Sequence, residues 1–177
     1  DEGELNNIRS LLETEGIDVQ VVYDWDMGEH AFRVDLAGTW IDTLATVPYP
    51  GADPVECAGT FGNPCAPANP EWRHRAVMNW MTPWSFDVNL TWRYYSSTDN
   101  ANDAEELETK FKAKNYLDLA AMWQVNENIQ LRATVLNLLQ EEAPVFTGAG
   151  TAPGNGNTYP TMYETGTTLI AGVKFMY

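Results

Sequence analysis

The residues of this 177-residue chain that could do chemistry are few and poorly grouped. There are two histidines, His30 and His74, one in a turn-like MGEH segment and one inside the alternating run WRHRAVMNW. Neither has the neighbours that a zinc site or a nucleophile–base pair requires. Cys57 and Cys65 lie in one Gly- and Pro-rich stretch, are not spaced as CxxC and have no His between them, so zinc or thioredoxin chemistry does not fit. A local disulfide formed in an oxidising compartment is the expectation, and two free thiols in a loop the alternative. The glycine-rich GAGTAPGNG at 148–156 lacks the G-x-G-x-x-G spacing and no helical pattern follows it, so it reads as loop rather than phosphate cradle. Asp99, Asp103, Glu105, Glu106 and Glu108 form an acidic run without the glycine turn and ordered oxygen positions of a calcium loop. No catalytic residue, metal site or cofactor is expected. A net charge of -15 argues against a nucleic-acid partner, which needs a basic face.

What the chain does carry is alternation. Thr167–Tyr177 (TTLIAGVKFMY) places Leu169, Ala171, Val173, Phe175 and Tyr177 on one side and Ile170, Gly172, Lys174 and Met176 on the other. Period two means a strand with one apolar face. Six more segments show the same pattern. Ile17, Val19, Val21, Tyr23 and Trp25 alternate with Asp18, Gln20 and Asp24; Phe32, Val34, Leu36 and Trp40 with Arg33, Asp35 and Thr39. Trp72, His74, Ala76, Met78 and Trp80 alternate with Arg73, Arg75 and Asn79; Phe86, Val88, Leu90, Trp92 and Tyr94 with Asp87, Asn89, Thr91 and Arg93. Leu117, Leu119, Ala121 and Trp123 face away from Tyr116 and Asp118, as do Ile129, Leu131, Ala133 and Val135 from Arg132 and Thr134. No run of about 18 apolar residues encodes a transmembrane helix, but a barrel strand hides its apolar residues by alternating them.

Connection lengths sort into two classes. Those near Met27–His30, Thr82–Trp84 and Asn126–Asn128 are tight, whereas those near 45–71, 97–114 and 140–166 are long and rich in Gly, Pro, Asn or acids. Short turns at one end and long loops at the other are the layout of an outer-membrane β-barrel. Trp25, Trp80, Trp84, Trp123 and Tyr177 lie by the tight turns or the chain end, and Trp40, Trp92 and Tyr94 toward the long loops, as two interfacial girdles would. Arg33, Arg73, Arg75, Arg93 and Arg132, with several aspartates, occupy the opposite parity and are expected to face the lumen. The fold class expected is all-β, an antiparallel transmembrane β-barrel segment, with 1–15 as an exterior loop remnant and 16–177 as barrel wall. Seven strands are an odd number, and an open sheet in lipid leaves unpaired edges, so the chain is expected to be the C-terminal part of a larger barrel. A small eight-stranded barrel, acting as anchor or adhesin, would require a spanning strand in Asp1–Thr14. A soluble β-sandwich binding module is the third reading.

Four stretches in this order carry a resemblance to the TonB-dependent outer-membrane receptors. ETEGIDVQVVYDW is similar to a descending strand of that family, and PEWRHRAVMNWMTPWSFDVNLTWRYYSS to a strand–turn–strand unit. VLNLLQEEAPV resembles the penultimate strand and GTTLIAGVKFMY the closing one, whose barrel-closing signature is Val173, Phe175 and Tyr177. Members commonly end on Phe, and here Tyr177 stands in its place.

The resemblance implies a barrel of twenty-two strands around a plug, of which this sequence supplies about the last seven. It implies location in the bacterial outer membrane and energised uptake of a scarce nutrient, an oligosaccharide or other organic ligand ahead of an iron–siderophore. The implied partners are the remainder of the barrel and the plug, the TonB complex reached through that plug, outer-membrane lipid and lipopolysaccharide, and a small-molecule ligand. Long-loop aromatics, Tyr49, Phe61, Phe146, Tyr159 and Tyr163, are the candidates for ligand binding, since ring faces with a few hydrogen bonds hold sugars and chelates alike. A solvated loop is the leading reading of the acidic run, and bridging of divalent cations at the lipopolysaccharide surface the sharper alternative.

Overall fold

The computed structural model describes residues 12–47, 51–65, 68–101, 110–142 and 166–176. Within them lie β1 (Leu12–Met27), β2 (His30–Thr46), β3 (Val55–Glu56), β4 (Thr60–Phe61), β5 (Trp72–Met81) and β6 (Phe86–Tyr95). These are followed by β7 (Thr98–Asn100), β8 (Lys110–Phe111), β9 (Lys114–Asn126), β10 (Ile129–Leu136) and β11 (Thr168–Phe175). The seven long strands form one antiparallel meander in the order β1-β2-β5-β6-β9-β10-β11. This sheet does not close on itself; β1 and β11 are its two ends.

The seven alternating segments of the sequence are these seven strands. Two of them reach further than their alternation indicates. β1 begins at Leu12, so 12–15 of the stretch expected as loop are strand, paired with 43–46 of β2 across an irregularity at Glu15/Gly16. Leu12–Thr14 therefore extend β1 rather than contribute to a separate strand, as the eight-stranded alternative would need.

Register converts the alternation into two faces. Tyr23, Val34, Met78, Leu90, Leu119, Val135 and Leu169 stand opposite one another in turn, an apolar row across the whole sheet. The next row on the other face reads Asp24, Arg33, Asn79, Asn89, Ala120, Thr134 and Ile170. A slip of one residue would exchange the faces. No second layer covers the apolar face among the described residues: Ile17, Tyr23, Trp123, Leu169 and Phe175 are all exposed. A sandwich would bury that face against another sheet.

Aromatics gather at two levels of the apolar face. By the tight turns, Trp25 stacks on Phe32 at 5.1 Å and Phe32 on Trp80 at 6.2 Å, and the Trp80 indole N–H donates to His30 Nδ1 at 3.2 Å. The turn between β1 and β2 is Gly28–Glu29, with Gly28 at φ 64°, the positive φ of a primed hairpin turn. By the long loops, the His74 ring meets Trp92 edge-on at 4.4 Å and Tyr94 at 5.3 Å, and accepts the Trp72 indole N–H at 2.9 Å. Gly38 makes room there, because a Cβ on it would sit 2.5 Å from the Trp72 ring.

Beyond this upper level the first two long connections form one cap. Cys57 and Cys65 are joined in a disulfide, as expected. β3 folds back on the end of β2, while β4 pairs in parallel with β7 and β7 antiparallel with β8. Phe61 from the first connection stacks on Phe111 at the end of the second, with centroids 3.8 Å apart, both rings being buried (0% and 3% exposed). Ala68 and Tyr95 pack around the pair. The buried apolar cluster thus lies in the cap, not on the sheet.

Truncating Phe61 to Ala should open the cap without unfolding the sheet. Removing a buried ring costs about 3–5 kcal/mol, and here the loss falls on the three small strands. The expected result is faster amide exchange at Asp99 and Ala101, whose N–H groups bond to Gly59 and Phe61, with exchange in β5 and β6 unchanged.

Candidate functional site

The polar face is built from charges and amides that find partners across strands. The Arg33 guanidinium donates to Asp24 at 3.3 Å, and Asp18 accepts the Thr39 hydroxyl at 2.8 Å. Asn89 donates to Asn79 at 2.7 Å and accepts from Thr91 at 3.1 Å. Gln130 donates to Gln124 at 3.0 Å. Arg132 lies across Gly172, whose lack of a side chain leaves space for the guanidinium. The half-buried amide bonds are worth roughly 1 kcal/mol net each and the exposed Arg33–Asp24 pair less; together they tie the polar side chains of neighbouring strands to one another.

Toward the long loops this lining becomes a connected ion network. Arg93 donates to Asp118 at 2.9 Å and stands over the Tyr116 ring at 5.4 Å. The second oxygen of Asp118 accepts the Asn137 backbone N–H at 2.9 Å. Asn137 is buried (1% exposed) at φ 51°, a left-handed conformation that Asn tolerates. Its side chain exchanges two bonds with the Glu141 backbone, at 3.0 and 2.9 Å. Its carbonyl accepts the Thr167 hydroxyl at 2.9 Å, so both ends of the third long connection meet at this residue. Lys114 closes the network on Glu141 Oε1 at 2.8 Å and on the Glu142 carbonyl at 2.7 Å.

Glu56 performs a similar role in the cap. One of its carboxylate oxygens accepts the backbone N–H groups of Leu44 at 2.7 Å, Ala58 at 2.8 Å and Cys57 at 3.0 Å. These three bonds favour the charged form and hold its pKa below the ordinary 4.5, led by the Ala58 amide, then that of Leu44; partial desolvation opposes them.

The five arginines read as sharing a face do share it: Arg33, Arg73, Arg75, Arg93 and Arg132 all point from the polar side. Val173 and Phe175 lie on the apolar side of β11, and Tyr177 is outside the described residues. Of the proposed ligand-binding aromatics, Phe61 is the cap's buried ring, which a ligand cannot touch while the cap is closed. Tyr49, Phe146, Tyr159 and Tyr163 lie outside the described residues. In the acidic run, Asp99 is bound to Lys110 at 3.0 Å, and Asp103, Glu105, Glu106 and Glu108 fall outside the description. His30 and His74 do not meet: His74 pairs with Gly38, eight residues along β2 from His30 and about 26 Å away at strand spacing. Sequence reasoning missed Glu56 and Asn137. Glu56 offered no pattern, and Asn137 only an Asn directly after an alternating strand.

Two outcomes test this network. Because the folded pKa of Glu56 lies below its unfolded value, its contribution is complete above the ordinary carboxylate range. It is lost as pH falls through the depressed pKa. Protection of the Leu44, Cys57 and Ala58 amides, corrected for intrinsic exchange, should therefore hold from neutral pH to about pH 4.5 and fall below it. In E56Q that fall should disappear. Asn137→Ala, which breaks two buried bonds at about 1–3 kcal/mol each, should raise exchange at Glu141 at least tenfold.

The family described as TonB dependent receptor-like, beta-barrel matches residues 4–138 of the chain. Comparison with curated proteins and with solved structures gives no match. The match runs from ahead of β1 to just past β10 and covers most of the two-faced meander, including Arg33, Arg73, Arg75, Arg93 and Arg132. An antiparallel sheet apolar on one face, hydrogen-bonded and charged on the other, with tight turns at one end and long connections at the other, is what such a barrel requires. The chain belongs to the TonB-dependent receptors and is part of their β-barrel.

Proposed function

We propose that this chain forms wall of an outer-membrane receptor that takes up a scarce organic nutrient by energised transport, an oligosaccharide or similar solute rather than an iron chelate. Membership of an outer-membrane receptor family supports transport in general. The observation that carries the reading is the two-faced sheet, apolar on one side, polar on the other and capped at one end; in this reading the apolar face lies against lipid, the polar face lines the lumen and the capped end faces the exterior. The sealed cap supports a role at the entrance, since it joins two long connections into one firm rim.

Ligand capture is assigned to the long connections, with Tyr49, Phe146, Tyr159 and Tyr163 as the candidate aromatics, while Phe61 serves the cap as its buried ring. The remaining barrel, the plug and, through it, the TonB complex complete the machine. No bond-making chemistry is assigned to this wall. The preference for an organic solute rests on the family resemblance of the sequence alone, which implies an organic nutrient ahead of an iron chelate.

Deleting the gene in its source bacterium and testing growth on a panel of oligosaccharides, with and without added iron, tests the nutrient. The expected defect is confined to an organic source and is not relieved by iron. A defect seen only under iron limitation and cured by iron would overturn the preference. The face assignment has its own test. Leu90→Arg, mid-strand on the apolar face, should cost about 2–4 kcal/mol in folding titrations into lipid vesicles. Ala120→Arg, a neighbouring position on the polar face, should cost under about 1 kcal/mol.

A further inference from the structure

The polar face holds one arrangement that its own hydrogen bonds do not explain. Three of the chain's six arginines converge at the long-loop end of β5 and β6. Arg75 stands directly opposite Arg93, and Arg73, two residues along the same face, stands between Thr39 and Tyr95. Like charges directly opposite on a sheet destabilise it, and this one sits in a protein of net charge -15 with carboxylates to spare.

The three arginines are not treated alike. Arg93 is held by Asp118. Arg73 and Arg75 are exposed, and neither has a carboxylate within ion-pair distance among the described residues. Asp18, across Thr39 from Arg73, is bonded to the Thr39 hydroxyl. In front of them is a cavity of about 580 Å³ whose charged lining is Arg73, Arg75 and Arg93 together with one carboxylate, that of Asp18, with Gln20 and Thr39 beside them. Ala37, the small residue opposite Arg75 on β2, also lines it. The cavity is ample for a small organic anion, and a guanidinium fork matches an oxyanion with two parallel N–H bonds.

We propose that Arg73 and Arg75, beside Thr39 and the Asp118-bound Arg93, form a subsite for an oxyanion group, a carboxylate, sulfate or phosphate, carried by the solute. It rests on the reading of this face as the lumen wall of an uptake receptor. The subsite lies on the first polar rows below the cap, so an entering solute meets it early. An anionic group there offsets the Arg75–Arg93 repulsion.

Inorganic phosphate, titrated against the intact receptor purified in detergent and followed by ³¹P line broadening, is the probe. The expected result is saturable broadening whose apparent affinity falls at least tenfold in R73Q/R75Q. R33Q, which removes one charge from the same face at its Asp24 pair, should bind as wild type and controls for loss of an arginine away from the cavity. R75K, which keeps the charge without the fork, should be intermediate. Absence of saturable binding in the wild type, or equal losses in R33Q and R73Q/R75Q, would overturn the subsite. Binding that appears only after the plug is removed would also overturn it, by showing that an acidic stretch of the receptor itself occupies the arginines. None of these results bears on which nutrient supports growth, so the uptake reading stands or falls separately.

Discussion

Pairing of the backbone is the constraint on which everything else here depends. In hydrocarbon no water is available to satisfy an N–H or C=O, and each unpaired group costs several kcal/mol or so. A meander of strands meets that demand along its whole interior, because each strand bonds to the one before and the one after. The same geometry sends alternate side chains to opposite faces. A sequence that must be greasy outside and polar inside is therefore forced into period two, and residues as unlike as Leu90 and Thr91 become neighbours. Among the described residues the cluster of buried apolar rings lies in the cap, with Val77 and Tyr116 buried on the polar face of the sheet.

The cap and the polar lining share a logic. Each long connection leaves the sheet with backbone groups that have lost their strand partners, and each is re-tied by a specific residue. Glu56 gathers three amides where the first connection folds back on β2. Asn137 receives both ends of the third. The Phe61–Phe111 stack joins the first to the second. The rim at the long-loop end is thus held by a few charged or buried contacts, and the arginine cluster lies directly beneath it.

Most of the sheet was legible in the sequence, because one apolar residue at every second position leaves little freedom in where a strand lies or which way it faces. The seven strands, the three tight turns, the shared face of Arg33, Arg73, Arg75, Arg93 and Arg132 and the Cys57–Cys65 bond all follow from local pattern. The four short strands did not, since two or three residues such as Thr60–Phe61 or Lys110–Phe111 carry no period and are defined by partners far along the chain. For the same reason Phe61 reads in sequence as a loop ring free to meet a ligand, whereas its partner fifty residues on buries it. The opposition of Arg75 and Arg93 depends on register, which parity alone does not supply. Extension of β1 back to Leu12 was hidden because Leu12–Glu15 do not alternate cleanly.

The central claim is that this sheet is a membrane wall with its Leu90 face in lipid and its Asn89 face in the lumen. Spin labels placed singly along Phe86–Tyr95 of the receptor in bilayers measure it directly, through their accessibility to oxygen and to a water-soluble nickel chelate. Oxygen accessibility should peak at Val88, Leu90 and Trp92 and nickel accessibility, or full burial, at Asp87, Asn89 and Thr91, with period two throughout. An alternation of the opposite phase, or none, would contradict the account.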